Sequence, residues 1–335
     1  MSMSVTELVE KARAGHRRSL ARLISYVENQ TPEGAEVLHL LYPHTGHAYT
    51  VGVTGAPGTG KSCLVSSLTL HWRQQGYTVG IIAVDPSSPF TGGAVLGDRF
   101  RMREISGDDG VFIRSMASRG QLGGLARTTF DVMRIMDAVG FDFVVVETVG
   151  AGQNEVAIAK VANTTVLVEA PGLGDDIQAI KAGILEIADV IAVNKADRPG
   201  VKNTVRALKA MLELGHRKRV ISHHGMIMSQ DDGAGTIVDD MWMVPIVETI
   251  ATEHKGIDAL AEAIASHRAY LEESGTQLQL ERMRLREELM DRLQTTMLKD
   301  LLQNIDSKTL DDVLDQMVSR QLDPESAVMQ LLEYR

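Results

Sequence analysis

Short apolar runs alternate with longer amphipathic stretches between residue 48 and about residue 265. The clearest apolar runs cover residues 51–53, 79–84, 141–146, 189–193 and 244–249. Runs with few polar positions are typical of strands that are buried on both faces of a parallel sheet. The amphipathic stretches between them would form helices that cover those faces. The pattern therefore predicts an α/β fold with a mostly parallel, doubly wound sheet, whose ligands bind at the carboxyl ends of the strands.

Both ends of the chain are predicted to be helical. Near the amino terminus, Ser4 and Glu7 have the spacing of a helix capping box. Apolar residues recur at helical spacing at Leu20, Leu23, Ile24 and Val27 and again at Leu285, Leu289, Leu293 and Met297. The carboxy-terminal helices could pack on the body of the protein or form a subunit interface, and the pattern leaves both open.

Composition and charge narrow the range of partners and compartments. The chain has 335 residues with 44% apolar content, enough to bury a substantial core. Its net charge of −10 argues against nucleic acid as a partner. No run is long enough to span a membrane and the first residues lack a signal-peptide core, so we expect a soluble, cytoplasmic protein. The single cysteine, Cys63, excludes an internal disulfide.

A complete phosphate-binding loop follows the first apolar run. Residues 55–62 read Gly-Ala-Pro-Gly-Thr-Gly-Lys-Ser and lead into a helical stretch at 63–74. A glycine-rich turn between a strand and a helix lets backbone N–H groups point at phosphate oxygens, whereas an ordinary glycine turn lacks this context. Lys61 would then reach the β- and γ-phosphates, and the Ser62 hydroxyl would bind Mg²⁺. The expected nucleotide contacts in this segment are Gly55, Ala56, Pro57, Gly58, Thr59, Gly60, Lys61, Ser62 and Cys63.

A second loop carries the residues that would recognise the base. The fourth apolar run ends in Asn-Lys-Ala-Asp at residues 194–197. The Asp197 carboxylate can accept hydrogen bonds from the N1–H and the amino group of guanine, donors that adenine lacks at those positions. Asn194 would tie this loop to the phosphate loop, and the stem of Lys195 would cover one face of the base. After the last apolar run, the backbone N–H of Ala251 would meet guanine O6.

Acidic residues that follow other strands are candidates for a metal site. Glu147 ends the run at 141–146, where an acid can bind Mg²⁺ directly or through water. The N–H of Gly150 would contact the γ-phosphate. Asp85 and Asp98 follow the second run and are further candidates, although each could instead cap a turn or a helix. The expected metal ligands are Ser62, Asp85, Asp98 and Glu147.

The residues that would complete a hydrolytic site are less regular. Hydrolysis of GTP needs a group that orients water and a positive charge that stabilises the transition state. Ala151 stands directly after Gly150, so the glutamine familiar at that position is absent, and Gln153 lies close by. We therefore expect slow intrinsic turnover that a partner or a neighbouring loop accelerates. The catalytic candidates are Lys61, Glu147, Gln153 and Lys181, and further candidate charges are Arg99, Arg114 and Arg119.

Longer motifs surround these loops. They are Ala-Val-Asp-Pro-Ser-Ser-Pro at 83–89, Leu-Gly-Asp-Arg at 96–99, Arg-Gly-Gln-Leu-Gly-Gly at 119–124, Glu-Thr-Val-Gly-Ala-Gly-Gln at 147–153 and Pro-Gly-Leu-Gly-Asp-Asp-Ile-Gln at 171–178. Over nearly its whole length the chain resembles the MeaB/ArgK family of GTPases. The resemblance implies a P-loop GTPase fold of the SIMIBI class, with a helical amino-terminal extension at 1–47, a GTPase domain at 48–265 and a helical dimerisation arm at 266–335.

Members of that family are homodimeric chaperones of adenosylcobalamin-dependent acyl-CoA mutases, such as methylmalonyl-CoA mutase. The resemblance implies that this chain is a metallochaperone that binds and hydrolyses GTP with Mg²⁺. Hydrolysis would be coupled to cofactor delivery from an adenosyltransferase and to ejection of damaged cofactor. It also implies that the segment from about 172 to 181 is an extra switch that senses the mutase. From the net charge and the lack of a long apolar run, we expect neither nucleic acid nor a membrane as a partner.

Three other functions are open to a GTPase of this class. A nickel-insertion GTPase would need clusters of Cys or His, and the chain has one Cys and scattered His. A signal-recognition GTPase would need a basic RNA-binding module, against which the acidic net charge argues. A protein kinase that acts on a transport component would need a protein-substrate site distinct from the GTP pocket.

Overall fold

Seven strands form one parallel sheet. The computed structural model describes residues 3–85, 102, 104–117, 127–148, 157–172, 182–216 and 242–333. The strands are β1 (Tyr49–Thr54), β2 (Val79–Asp85), β3 (Val111–Ala117), β4 (Phe143–Thr148), β5 (Thr164–Glu169), β6 (Val190–Val193) and β7 (Ile246–Glu248). Their order is β3-β2-β4-β1-β5-β6-β7, and every neighbouring pair is parallel. The predicted doubly wound α/β fold is confirmed.

Helices precede the sheet and alternate with its strands. They are α1 (Val5–Arg13), α2 (Arg17–Glu28), α3 (Pro32–Leu41), α4 (Lys61–Gln74), α5 (Arg127–Ala138), α6 (Ala182–Leu185), α7 (Val201–His216) and α8 (Ile257–Glu273). The capping box predicted at the start of α1 is present, because the Ser4 hydroxyl accepts a hydrogen bond from the Glu7 N–H at 3.2 Å and the Ser4 N–H donates to the Glu7 carboxylate at 3.1 Å. Both bonds satisfy N–H groups that a helix start leaves without intrahelical partners.

Alternate residues of the central strands face two apolar layers. In β2 and β4, Ile82 and Val144 point into a layer that includes the buried residues of α1, α2, α3 and α5. Their neighbours Ile81 and Val145 point into the opposite layer, which contains the buried residues of α4 and α8. Each fully buried aliphatic side chain of this kind stabilises the fold by about 1.5–3 kcal/mol. The sheet is therefore packed on both faces, as expected for a doubly wound fold.

A second unit begins at Gly275, and helix α8 runs past residue 265 up to Glu273. This unit contains α9 (Thr276–Asn304), α10 (Ser307–Val318) and α11 (Pro324–Leu332). Asp306 and Asp323 cap the last two helices through their carboxylates, and these hydrogen bonds lower the pKa of both side chains. Among the described residues, no helix is both long enough and apolar enough to cross a lipid bilayer.

Candidate functional site

The loop between β1 and α4 has a shape that requires glycine at two positions. Gly55 has a φ of +141°, and a Cβ atom there would lie 2.2 Å from the carbonyl oxygen of Val168 in β5. Gly60 has a φ of +95°, and a Cβ atom there would lie 2.5 Å from the side-chain nitrogen of Asn194. Inside the loop, the Thr59 hydroxyl donates to the Ala56 carbonyl at 2.9 Å. The glycines thus let the loop pack closely against β5 and against the residue that follows β6.

Lys61 holds its charge inside this loop. Its ammonium donates to the carbonyl oxygens of Gly55 at 2.7 Å and Ala56 at 3.0 Å, and the residue is only 6% exposed. Lys61 is also the first residue of α4, whose amino-terminal N–H groups carry partial positive charge. The ammonium and the helix start therefore act together on a phosphate group bound in the loop.

Ser62 and Glu147 form the buried polar pair next to Lys61. The Ser62 hydroxyl donates to the Glu147 carboxylate at 2.5 Å, and Glu147 is 1% exposed. Glu147 is held between two strands, because it pairs in register with Val53 of β1 and Ala83 of β2. Hydroxyl and carboxylate oxygens are the hard ligands that Mg²⁺ prefers. The donor set therefore fits the metal that the sequence predicts.

The loop at residues 194–197, called the guanine loop below, is tied to the phosphate loop by Asn194. Its side-chain N–H donates to the Thr59 carbonyl at 2.9 Å, and its backbone N–H donates to the Glu169 carbonyl at 2.8 Å. The side-chain oxygen of Asn194 accepts from the Thr249 hydroxyl at 3.3 Å. Asn194 is 2% exposed, so these bonds are shielded from water. The link between the two loops that the sequence predicts is present.

Lys195 and Asp197 lie on the outer side of the same loop. The Lys195 ammonium reaches the Gly58 carbonyl at 2.5 Å, so its stem crosses from the guanine loop to the phosphate loop. Its φ of +57° is unusual for a residue with a side chain, and such strain is often found at functional sites. Asp197 is exposed. Its carboxylate has no hydrogen bond within the described part of the chain, which leaves both oxygens accessible to a base.

Ala251 is close to the guanine loop, but its N–H has a partner in the protein. That N–H donates to the side-chain oxygen of Asn194 at 3.1 Å. The Ala251 carbonyl accepts a hydrogen bond from the Ser67 hydroxyl of α4 at 2.6 Å. Ser67 and Thr249 position this part of the site, and sequence reasoning missed both because neither belongs to a nucleotide-binding motif.

Arg114 was expected as a candidate catalytic charge, and its position contradicts that role. The guanidinium forms an ion pair with Glu28 of α2 and donates to the Ser25 hydroxyl at 3.2 Å. Burial lowers the pKa of this guanidinium. Arg114 therefore joins β3 to the amino-terminal helices, and its charge is committed to Glu28.

Several predicted site residues lie outside the described residues. They are Asp98, Arg99, Arg119, Gly150, Gln153 and Lys181, and of Asp85 only the backbone, at the end of β2, is described. Cys63 is partly buried in α4 and packs against the apolar layer of that face. Within the described ranges, no three His, Cys, Asp or Glu side chains come together as a metal site.

Phosphate and guanine loops joined across a parallel sheet define a P-loop guanine-nucleotide-binding protein. The sequence profile of one family, described as methylmalonyl Co-A mutase-associated GTPase MeaB, matches residues 20–306. The chain belongs to this family of GTPases, as its longer motifs indicated.

Individual relatives agree with this assignment. A protein of Pyrococcus abyssi is 44% identical over 98% of this chain and 96% of its own length. The mitochondrial methylmalonic aciduria type A homolog of Mus musculus is 33% identical over 68% of this chain and 59% of its own length. A solved structure titled LAO/AO transport system kinase has 26% sequence identity and a TM-score of 0.70, and the match covers 98% of this chain and 97% of that one.

Proposed function

We propose that this chain is a cytoplasmic GTP-dependent chaperone of an adenosylcobalamin-dependent acyl-CoA mutase. The observation that carries the proposal is the family match over residues 20–306, since that family is described as associated with methylmalonyl-CoA mutase. The connected phosphate and guanine loops support a GTP-driven mechanism. GTP binding and hydrolysis would time the transfer of the cobalamin cofactor from an adenosyltransferase to the mutase, and would let damaged cofactor leave.

In this proposal the described residues bind and orient the nucleotide. Lys61 contacts the β- and γ-phosphates, and Asp197 reads the guanine edge. Mg²⁺ would be held by Ser62 and, directly or through water, by Glu147, with Asp85 and Asp98 as further ligands. When bound, the metal would neutralise charge on the phosphates. The close contact between Ser62 and Glu147 supports this ligand set, because their oxygens lie 2.5 Å apart and could bind the same cation.

Control of hydrolysis would come from the neighbouring segments. Gly150 would contact the γ-phosphate, Gln153 would orient water, and Lys181 would supply positive charge from the switch at about 172–181. A site that depends on these separate segments would turn over slowly until the mutase completes it. The rate of hydrolysis would then report the state of the partner.

Stimulated hydrolysis tests the chaperone proposal. Purified mutases should raise the rate of phosphate release from GTP by at least about tenfold for the correct partner, which corresponds to about 1.4 kcal/mol of transition-state stabilisation. The Lys61→Met variant with the same mutase is the control for contaminating GTPases. If no adenosylcobalamin-dependent mutase changes the rate, the chaperone proposal is wrong although the chain is a GTPase.

We also propose that the arm at 266–335 makes the protein a homodimer. Helix α9 exposes a stripe of apolar side chains one turn apart, at Leu285, Leu289, Leu293 and Met297. Exposed stripes of this kind usually mark an interaction surface. The four side chains lie 39–58% exposed, which is unusual for leucine and methionine in one row.

Disrupting this stripe should convert dimers to monomers. Leu289→Glu places a charge in the middle of the stripe, where burial in an interface would cost several kcal/mol. Truncation after Ser274 should have the same result. Thr295→Glu, at an exposed position on the other side of α9, is the matched control and should leave the dimer intact. Light scattering measures the mass, and dimeric Leu289→Glu protein together with a dimeric truncated form would rule out this interface.

A further inference from the structure

A cleft opens at the edge of the sheet opposite the nucleotide loops. It has a volume of about 390 Å³ and is lined by the first residues of β1 and β4, the carboxyl end of α4 and one face of α8. Pockets for small organic molecules begin at about 300 Å³. Strand β1 has six residues, so its first residue Tyr49 is about 17 Å from the start of the phosphate loop. The cleft is therefore separate from the nucleotide site.

Aromatic rings form the inner wall of this cleft. Trp72 of α4 and Phe143 of β4 stack with ring centroids 4.1 Å apart and planes within 4° of parallel. Tyr77 meets Phe143 edge-on at 5.3 Å, and Tyr49 meets it edge-on at 6.4 Å. All four rings line the cleft, but Tyr49 and Trp72 are each only 3% exposed, so Phe143 and Tyr77 form its accessible aromatic surface. Flat apolar groups pack well on such a wall, and the faces of the rings attract cations.

The guanidinium group of Arg268 packs against one ring of this wall. The guanidinium carbon of Arg268 lies 5.0 Å from the centre of the Tyr49 ring. Its Nε atom also donates to the Glu272 carboxylate at 2.9 Å, so the positive charge of Arg268 is balanced by its own neighbour on α8. The geometry shows that a planar cation fits against an aromatic side chain here, and that Arg268 does not neutralise other acids of the cleft.

Two carboxylates at the mouth of the cleft have no ion-pair partner among the described residues. Asp258 and Glu262 are one turn apart on α8 and both line the cleft. Neither has an ion pair or a hydrogen bond to its carboxylate within the described residues, and both are exposed. The other polar side chains of the cleft are His71 and Gln75, which contact each other at 2.9 Å. The mouth of the cleft is therefore acidic and its inner wall is aromatic.

We propose that this cleft binds a small planar organic cation of the amidinium or guanidinium class. The flat body of the ligand packs against the accessible parts of Phe143 and Tyr77, which Trp72 supports from behind. Its charge lies at Asp258 and Glu262, where planar N–H donors can pair with carboxylate oxygens. Cation–π attraction and partly exposed ion pairs each contribute modestly, so the acids and the rings must act together. The proposal concerns binding alone and does not depend on the partner of the GTPase.

Benzamidine is the probe, and benzamide is its neutral counterpart of nearly the same shape. Calorimetry on the full-length protein should show saturable binding of benzamidine with a 1:1 stoichiometry. Benzamide should bind at least about tenfold more weakly, because it retains the stacking and loses the charge, a difference of about 1.4 kcal/mol. Equal affinity for the two compounds, or no binding of benzamidine, would overturn the proposal.

Variants of the cleft then locate the site. The double variant Asp258→Asn/Glu262→Gln should weaken benzamidine binding about tenfold, and Ala265→Phe should abolish it by filling the cleft. Glu273→Gln and Ala259→Phe change exposed positions of the same helix that do not line the cleft, and both should bind like the unaltered protein. None of these residues belongs to the nucleotide loops, so unchanged GTP affinity shows that a variant is correctly folded. Unchanged benzamidine affinity in a folded double variant would place the binding elsewhere and refute the assignment.

Discussion

Replacing Lys61 with alanine is expected to weaken GTP binding about 100-fold, equivalent to about 2.7 kcal/mol at room temperature. The Lys61 ammonium is held by the carbonyls of Gly55 and Ala56 and is 6% exposed, so it is already oriented and largely shielded from water. Hydrogen bonds that involve a charged group are worth about 1.5–3 kcal/mol each, and alanine provides none to the phosphates. Titration calorimetry with GTP and Mg²⁺ measures the change.

Two further variants separate the loss of charge from damage to the fold. Lys61→Met keeps most of the apolar stem of this buried side chain and should bind GTP as weakly as the alanine variant. Lys209→Ala removes an exposed lysine from α7 and should leave GTP affinity unchanged. A folded Lys61→Ala protein that binds GTP as tightly as the unaltered protein would show that the phosphates bind elsewhere.

The sheet could be predicted from sequence where apolar residues run together. Strands β1, β2, β4, β6 and β7 coincide with the five apolar runs. The prediction missed β3 and β5, whose sequences are partly polar. In β5, Thr164 is fully buried because distant residues satisfy its hydroxyl, which bonds with the Tyr49 hydroxyl at 2.6 Å and lies 2.9 Å from a ring nitrogen of His267. Apolar periodicity cannot reveal such partners.

Apolar periodicity also gave an incomplete prediction of the amino-terminal helices. The region from the Ser4 capping box to Val27, which was predicted to be helical, is divided into α1 and α2 at Gly15, whose φ of +86° is compatible with a turn between helices. Helix α3 lies within the helical extension at 1–47 that the family resemblance implied, but apolar periodicity did not identify it, although Thr31 caps it and Pro32 is its first residue. Those two signals mark a helix start, but the ten residues that follow are too few for a clear periodic pattern.

Within the candidate site, sequence motifs identified the residues that would touch the nucleotide, and the structure added those that hold them. The hydrogen bond from Asn194 to Thr59 could be predicted, because both residues belong to nucleotide-binding motifs that are expected to lie side by side. The bond from Ser67 to Ala251 joins residues 184 positions apart, and neither side chain has a chemical role that would single it out. Arg114 was misassigned for a related reason, since a catalytic arginine and an arginine in a partly buried ion pair look the same in the sequence.

The second large effect is expected for Asp197→Asn. This variant should prefer xanthine as the base, whereas the unaltered protein prefers guanine. The Asp197 carboxylate is exposed and accepts hydrogen bonds only, which suits the N1–H and amino group of guanine. Xanthine carries a carbonyl oxygen in place of the amino group, and the asparagine side chain can donate to it. We expect GTP affinity to fall about 30-fold, or about 2 kcal/mol, because two charge-assisted bonds are lost or reversed.

Competition between GTP and xanthosine triphosphate distinguishes this result from a general loss of binding. In Asp197→Asn, xanthosine triphosphate should bind more tightly than GTP, whereas in the unaltered protein the order is reversed. Asp311→Asn makes the same chemical change at an exposed position of α10 and should leave the order as it is in the unaltered protein. Because misfolding weakens both nucleotides alike, only a reversed order supports the assignment of Asp197. A variant that still prefers GTP would mean that another group reads the base.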